Sequence, residues 1–421
     1  MKKYILSGCL ALMAALSMHA QGGTNSPYSQ YGLGTLADMS QGHSRGMNGA
    51  SLGLRQGNTV NTVNPASYSA IDSLTMIFDV GLSGQITNFK ENGSSLNARN
   101  ASFEYAVGSF RLLPHVGMTF GILPYSNIGY NYSSSTYLDS NHGTMTQTYK
   151  GEGGLRQVFL GAGWQLFPGM SIGVNVGYLW GTLERSVQSS SNTYIFPLLK
   201  SYTSSVNSYK IDFGAQYQKR LNAKNLLTVG ATVGIGHKLG ADAVCQIIEN
   251  STDTTTQTVG NALSLPMTYA VGVAWSHGRQ WVVDADFSMQ KWGDMDFPGD
   301  MGGSYTLQSG LLKDRYQVKV GADYVPNRDN HRNFLERVHY RFGVGYATPY
   351  YNINGKEGPK EFSVSAGFGI PLQNQWNNRS VLNVSAQWVH TSATGLITEN
   401  TFRINVGLTF NERWFSKWKI E

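Results

Sequence analysis

The stretch QWVVDADFSMQ, residues 280–290, sets Trp281, Val283, Ala285, Phe287 and Met289 on one face and Gln280, Asp284, Asp286, Ser288 and Gln290 on the other, with Val282 the single exception. A period of two is the mark of a β-strand. One face is apolar and aromatic, and the other carries two carboxylates, so the faces meet different surroundings. The pattern recurs downstream. Tyr316, Val318, Val320, Ala322 and Tyr324 alternate with Arg315, Gln317, Lys319, Gly321 and Asp323. Val338, Tyr340, Phe342, Val344 and Tyr346 alternate with Arg337, His339, Arg341, Gly343 and Gly345. Phe362, Val364, Ala366, Phe368 and Ile370 alternate with Glu361, Ser363, Ser365, Gly367 and Gly369. A soluble sandwich also alternates, but its strands run nearer to about 5–6 residues, and these segments span about 10–14.

Fourteen such strands are predicted, starting near residues 74, 98, 114, 154, 170, 203, 224, 264, 279, 312, 334, 359, 379 and 400. The links after even strands are mostly tight: Leu113-Pro114, Phe167-Pro168-Gly169, 221–225 and 276–279. The links after odd strands are longer, notably 124–153, 188–202, 241–263 and 291–311. An even strand count with short turns on one side and long loops on the other is the pattern of an outer-membrane β-barrel. In lipid every backbone group must be paired, so the sheet has to close. Trp164, Trp275, Trp281 and Trp376 fall near the short turns and Trp180, Trp292 and Trp388 near the long loops, as two aromatic girdles would require.

Composition agrees. The 421 residues include 49 Gly, 23 Tyr and 18 Phe with only 14% charged residues, which is the reverse of a disordered composition. Past residue 20 no apolar run approaches the ~20 residues of a membrane helix. The +6 formal charge is scattered without a Lys/Arg block, so nucleic acid is not an expected partner. Residues 1–20 read as an export signal: basic Lys2 and Lys3, an apolar run over 4–17, and small Ala20 at the cleavage point. Leu6-Ser7-Gly8-Cys9 matches a lipoprotein box in letters, but the apolar run continues beyond Cys9, and ordinary cleavage is the expectation. The mature chain then holds Cys245 alone and no internal disulfide.

A fourteen-stranded barrel is too wide to fill with its own side chains. Residues 21–73, rich in Gly, Asn and Ser and without periodicity, are expected to form a plug in the lumen, with the barrel over 74–410 and an aromatic, basic tail over 411–421. The inward charges Asp284, Asp286, Arg315, Lys319, Asp323, Arg337, His339, Arg341 and Glu361 either anchor that plug or line a wet lumen.

An N-terminal segment containing Asn64-Pro65-Ala66-Ser67 after GMNGASLGLRQGNTVN (46–61), followed by fourteen strands, resembles the FadL/OmpP1/TodX family of outer-membrane transporters of hydrophobic compounds. SPYSQYGLGTL (26–36) and FNERWFSKWKIE (410–421) resemble its Bacteroidota branch. The resemblance implies a hatch at Asn64, Pro65 and Ala66, and lateral exit of a fatty-acid-like ligand through a gap at a kinked third strand. In that strand, HVGMTFGILPYSNIGY, Pro124 cannot donate to the ladder. Pro124, Tyr125, Ser126 and Gly129 therefore form a candidate opening, unless Pro124 merely ends the strand. Ile195, Phe196, Leu198 and Leu199 are a candidate extracellular groove, joined by Val244, Cys245, Ile247 and Ile248, or else these residues pack into a cap. Expected partners are membrane lipids, a hydrophobic small molecule, and other outer-membrane proteins. No enzyme is expected, since no H-E-x-x-H, G-x-S-x-G, Walker or cysteine metal spacing occurs, and no cofactor or metal is implied. The rival to transport is an accessory subunit of an outer-membrane secretion or assembly complex, docking through its loops or through Trp414, Phe415, Lys417, Trp418 and Lys419.

Overall fold

The computed structural model describes residues 23–91, 93–139, 143–191, 198–249, 253–301, 303–328, 330, 332–372 and 380–412. The expected export signal, Ile195, Phe196, Trp376 and the tail after 412 lie outside the described residues.

Fourteen strands run antiparallel around a closed wall: β1 (Met76–Glu91), β2 (Ser94–Leu113), β3 (Val116–Pro124, resuming as Ser126–Asp139), β4 (Gly143–Phe167), β5 (Met170–Ser191), β6 (Leu198–Arg220), β7 (Asn225–Gly234), β8 (Thr268–His277), β9 (Trp281–Gln290), β10 (Arg315–Tyr324), β11 (His339–Ala347), β12 (Lys360–Leu372), β13 (Ser380–Ser392) and β14 (Thr398–Glu412). The seam closes by pairing β1 with β14 from Met76 opposite Glu412 to Lys90 opposite Thr398. No edge is left at that seam, which is what a lipid surround demands. The expected alternation holds along β9, β10, β11 and β14. Val318, Val320, Phe342, Val344, Phe402, Ile404 and Val406 are exposed on the outer wall, while Asp284, Asp323, Arg341 and Asn405 are buried inside. Trp164, Trp275, Trp281 and Trp388 are exposed on that outer wall.

The structure departs from the sequence expectation in three places. Several stretches expected as loops are strand: β4 begins at Gly143 rather than near 154, and 241–263 and 291–311 contain the hairpins Ala243–Glu249/Asp253–Val259 and Phe297–Met301/Ser304–Gln308. Polar Ser/Thr runs can continue a ladder in water, where the lipid-imposed apolar face ends. The link after β10 is long: residues 325–338 carry a one-turn helix, Phe334–Arg337, capped by Asn333. Arg337 therefore belongs to that helix and not to the inward face of β11, and its guanidinium sits over Phe334 at 5.9 Å. Trp292 is fully buried and not part of a girdle. It packs on Tyr350 (4.7 Å between centroids) within a large apolar cluster that also holds Leu33, Leu179, Leu263 and Tyr351.

Candidate functional site: the lumen and the segment lying in it

Residues 23–75 form no long element. They contain the 3-10 turns Pro27–Gln30 and Pro65–Ala70 and the one-turn helix Gly42–Arg45. Such a chain satisfies only part of its own backbone, so it must borrow further partners. It borrows them from the wall. Asp286 on β9 accepts from the amides of Ser51 (2.7 Å) and Leu52 (3.0 Å). Gln216 on β6 donates to Leu52 O (3.0 Å) and Leu54 O (3.1 Å). Ser365 on β12 donates to Gly46 O (3.0 Å), and Asn175 on β5 donates to Thr62 O (3.2 Å) while accepting from Tyr68 OH (3.0 Å). These partners lie on β5, β6, β9 and β12, so the segment is held against the inner face of the wall at several strands.

Asn64, Pro65 and Ala66 begin the second 3-10 turn. Asn64 Oδ1 caps it by accepting from Ala66 N (3.2 Å), its Nδ2 donates to Leu52 O (3.0 Å) and Ala215 O (3.2 Å), and Pro65 takes the first turn position, where no N–H is needed. The turn lies on wall positions that have no side chain. An added Cβ at Gly117, Gly163, Gly173, Gly214, Gly230, Gly272, Gly321 or Gly343 would come within 3.0 Å of Leu52, Asn64, Pro65, Tyr68 or Met47. These eight glycines stand on β3 to β8, β10 and β11, so the wall is moulded to the segment's backbone.

Charge is concentrated at one position that sequence reasoning missed. Arg45, buried, pairs with Glu104 at 2.9 Å, donates to Asn405 Oδ1 (3.1 Å), Ser40 O (3.0 Å) and Asp38 O (3.1 Å), and sits over the Tyr105 ring at 5.5 Å. Glu104 faces inward because a bulge shifts the β1–β2 register at Gly81/Leu82. Simple alternation would have placed either Glu104 or Tyr105 outside, so no periodicity signal marks this pair. Burial alone would raise the Asp38 carboxyl, but Lys319 (3.8 Å) and Arg45, with the Ser40 amide, hold it below the usual carboxylate range. His43 has the opposite balance: burial, reinforced by Arg341, outweighs Asp323 (3.8 Å) and keeps the imidazole neutral.

Of the predicted inward residues, Asp286, Lys319, Asp323 and Arg341 meet the segment, the last by packing its side chain on Gly46. His339 bonds Asp323 at 2.8 Å. Asp284 is fully buried beside Asp286. Arg315 and Glu361 line a cavity of about 370 Å³ whose walls also carry Lys210, Asp212, Glu399 and Arg403. Leu198 and Leu199 open β6, paired with β5 on one side and with Glu249 and Ile248 on the other. Cys245 in that same added hairpin is buried. Among the described residues no cluster of three metal-ligating side chains occurs.

The third strand breaks at Tyr125. Below it β3 pairs with both β2 and β4, whereas above it, from Ser126, the strand pairs with β4 and only a two-residue strand from the N-terminal segment, Thr35–Leu36. The space beside it is occupied: Ala37 N donates to Tyr125 O (2.9 Å), Gly129 N to Ser29 Oγ (3.2 Å), and Asn25 Nδ2 to Arg99 O on β2 (3.0 Å).

A family profile described as BamG matches residues 1–421, the whole sequence. The chain belongs to the BamG family. No curated protein matches it. Among solved structures this BamG-family barrel is similar to a FadL homologue of Pseudomonas aeruginosa (TM-score 0.64, 10% identity, 89% of this chain and 99% of that one). It is also similar to the toluene transporters TodX of Pseudomonas putida (TM-score 0.60, 15% identity, 91% and 100%) and TbuX of Ralstonia pickettii (TM-score 0.60, 13% identity, 90% and 98%). At such identities the likeness establishes a FadL-like barrel fold for this BamG-family chain. A closed, outward-apolar barrel of that kind is an outer-membrane protein.

Proposed function

We propose that this chain is a sealed, non-transporting barrel that serves as an accessory subunit of an outer-membrane protein assembly complex, with residues 21–73 as a fixed plug. The observation that carries this reading is the glycine seat. A hatch that opens for cargo must leave the wall and return, whereas eight wall positions stripped of side chains hold this segment at van der Waals contact. The other features favour the same reading. The cavity is lined by charges of both signs, which suit water better than an acyl chain. The Trp292 cluster ties the N-terminal Tyr28 and Leu33 to the links that follow β7, β9 and β11, and the break in β3 is filled by residues 25–37. Residues 1–20 would direct export, and the long hairpins or the tail after 412 would provide docking surfaces.

The test locks the plug. Asn48 Nδ2 donates to Ser363 Oγ at 2.8 Å, so Asn48→Cys with Ser363→Cys offers a disulfide between segment and β12. If the oxidised variant still co-purifies with its outer-membrane partners and supports growth as well as the unaltered chain, a moving hatch is not needed. If oxidation stops uptake of a radiolabelled fatty acid or of toluene, and reduction restores it, the accessory reading is wrong. Passage of a hydrophobic small molecule is the second reading, favoured by the broken third strand, with Pro124 to Gly129 then serving as the exit.

A further inference from the structure

Above Ala106 and Ile122 the wall forks. The upper part of β2, Ser94–Tyr105, pairs with β1 alone, and the upper part of β3, beyond Ile128, pairs with β4 alone. Two strand edges therefore face each other across an opening. The floor of the opening is closed by this chain: Thr35 and Leu36 add a short strand to β3 opposite Asn127 and Ser126, and Gly23 lies against both Ser102 and Asn127. Higher up, among the described residues, no strand pairs with the outer side of 94–98 or of 131–139.

A strand edge is a row of free N–H and C=O groups that folded proteins guard with charge, proline or a cover. The opposite margin of this long-hairpin sheet is guarded: the strand Asp253–Val259 is covered by the Ser304–Gln308 hairpin, with Gln257 Nε2 donating to Gly303 O (3.3 Å) and Gln257 Oε1 accepting from Tyr305 N (2.6 Å). The facing edges are not. SSLNA (94–98) and NYSSSTY (131–137) contain no charged residue and no proline, and each presents a bare apolar side chain, Leu96 and Tyr137, both 68% exposed.

We infer that this fork accepts an extended segment of a partner outer-membrane protein as an added β-strand, continuing upward the pairing that Thr35–Leu36 begins at its floor. The chain's own segment already shows the recognition chemistry, which is main-chain pairing to β3 with small uncharged side chains alongside. The occupant that fits is uncharged over five to seven residues and carries an apolar residue to cover Leu96 or Tyr137. This inference rests on the accessory-subunit reading.

The experiment is amide hydrogen exchange by mass spectrometry on the complex isolated from its own outer membrane, compared with the isolated barrel in the same detergent. Amides of 94–98 and 131–137 are expected to exchange at least about ten-fold more slowly in the complex. A photo-crosslinker placed at Ser134 should join a peptide of the co-purifying partner, and Asn97→Lys with Ser134→Lys should remove the protection while the isolated barrel stays folded. An intact complex whose edge amides exchange as in the isolated barrel, or that carries no adduct at Ser134, overturns the inference and leaves the accessory reading standing. A barrel that co-purifies with no partner overturns both.

Discussion

The wall and the segment it encloses obey different rules. The wall satisfies its backbone by its own ladder, so its outward side chains need only be apolar, and their shapes matter little. The segment over 23–75 has only short turns and one two-residue strand, so the backbone groups these leave over depend on single wall atoms, such as those of Asp286 or Gln216, or on a glycine leaving room. Polarity governs the first region and exact fit the second.

Substitutions can break that contrast in order of size. Arg45→Ala strands buried Glu104 and should cost about 3–5 kcal/mol, the range for removing one partner of a buried pair. It should appear as rapid proteolysis in the 23–75 segment while the barrel keeps its heat-modifiable mobility. Val406→Arg, on the exposed outer wall near mid-strand, should cost about 2–4 kcal/mol of barrel stability in urea titrations in lipid while leaving the segment's protease resistance alone. Gly343→Val pushes a side chain into Met47 and should cost about 1–3 kcal/mol of segment docking. Gly84→Val, where no atom lies within 4 Å of an added Cβ, should be near neutral, and equal losses at both positions would remove the case for a seat.

The smallest expected effect is a pH dependence. His43 has its proton affinity lowered by burial and Arg341, with Asp323 opposing and His339 and Arg328 facing it as well. The released segment therefore binds a proton that the docked one refuses. Docking should be at full strength above the ordinary histidine value of about 6.5 and weaken as the pH falls below it. Protection of residues 40–50 against exchange at pH 7.5 and pH 5.5 measures this, and His43→Gln should flatten the difference. Greater protection at pH 5.5 would reverse the assignment.

The barrel was legible because lipid imposes a rule with period two, which QWVVDADFSMQ obeys over ten residues. The inward glycines were visible in the same alternation, as at Gly321, Gly343 and Gly345, but what they make room for was not. Strand ends beyond the lipid, such as residues 143–153, escaped because Ser, Thr and Gly carry no facial signal there. The Arg45–Glu104 pair was hidden by a bulge, and Arg337 was misplaced because a regular alternation ran on into a helix. The partners of the Asp286 carboxylate are backbone amides, which no sequence displays.

The seam has a consequence for biogenesis. β1 and β14 are joined only when residues more than three hundred positions apart meet, as Met76 meets Glu412. Arg45 reaches across that seam, holding Glu104 on one side and Asn405 on the other. The N-terminal segment, made first, is thus placed to be enclosed as the last strand arrives, like a pin set before a clasp is shut.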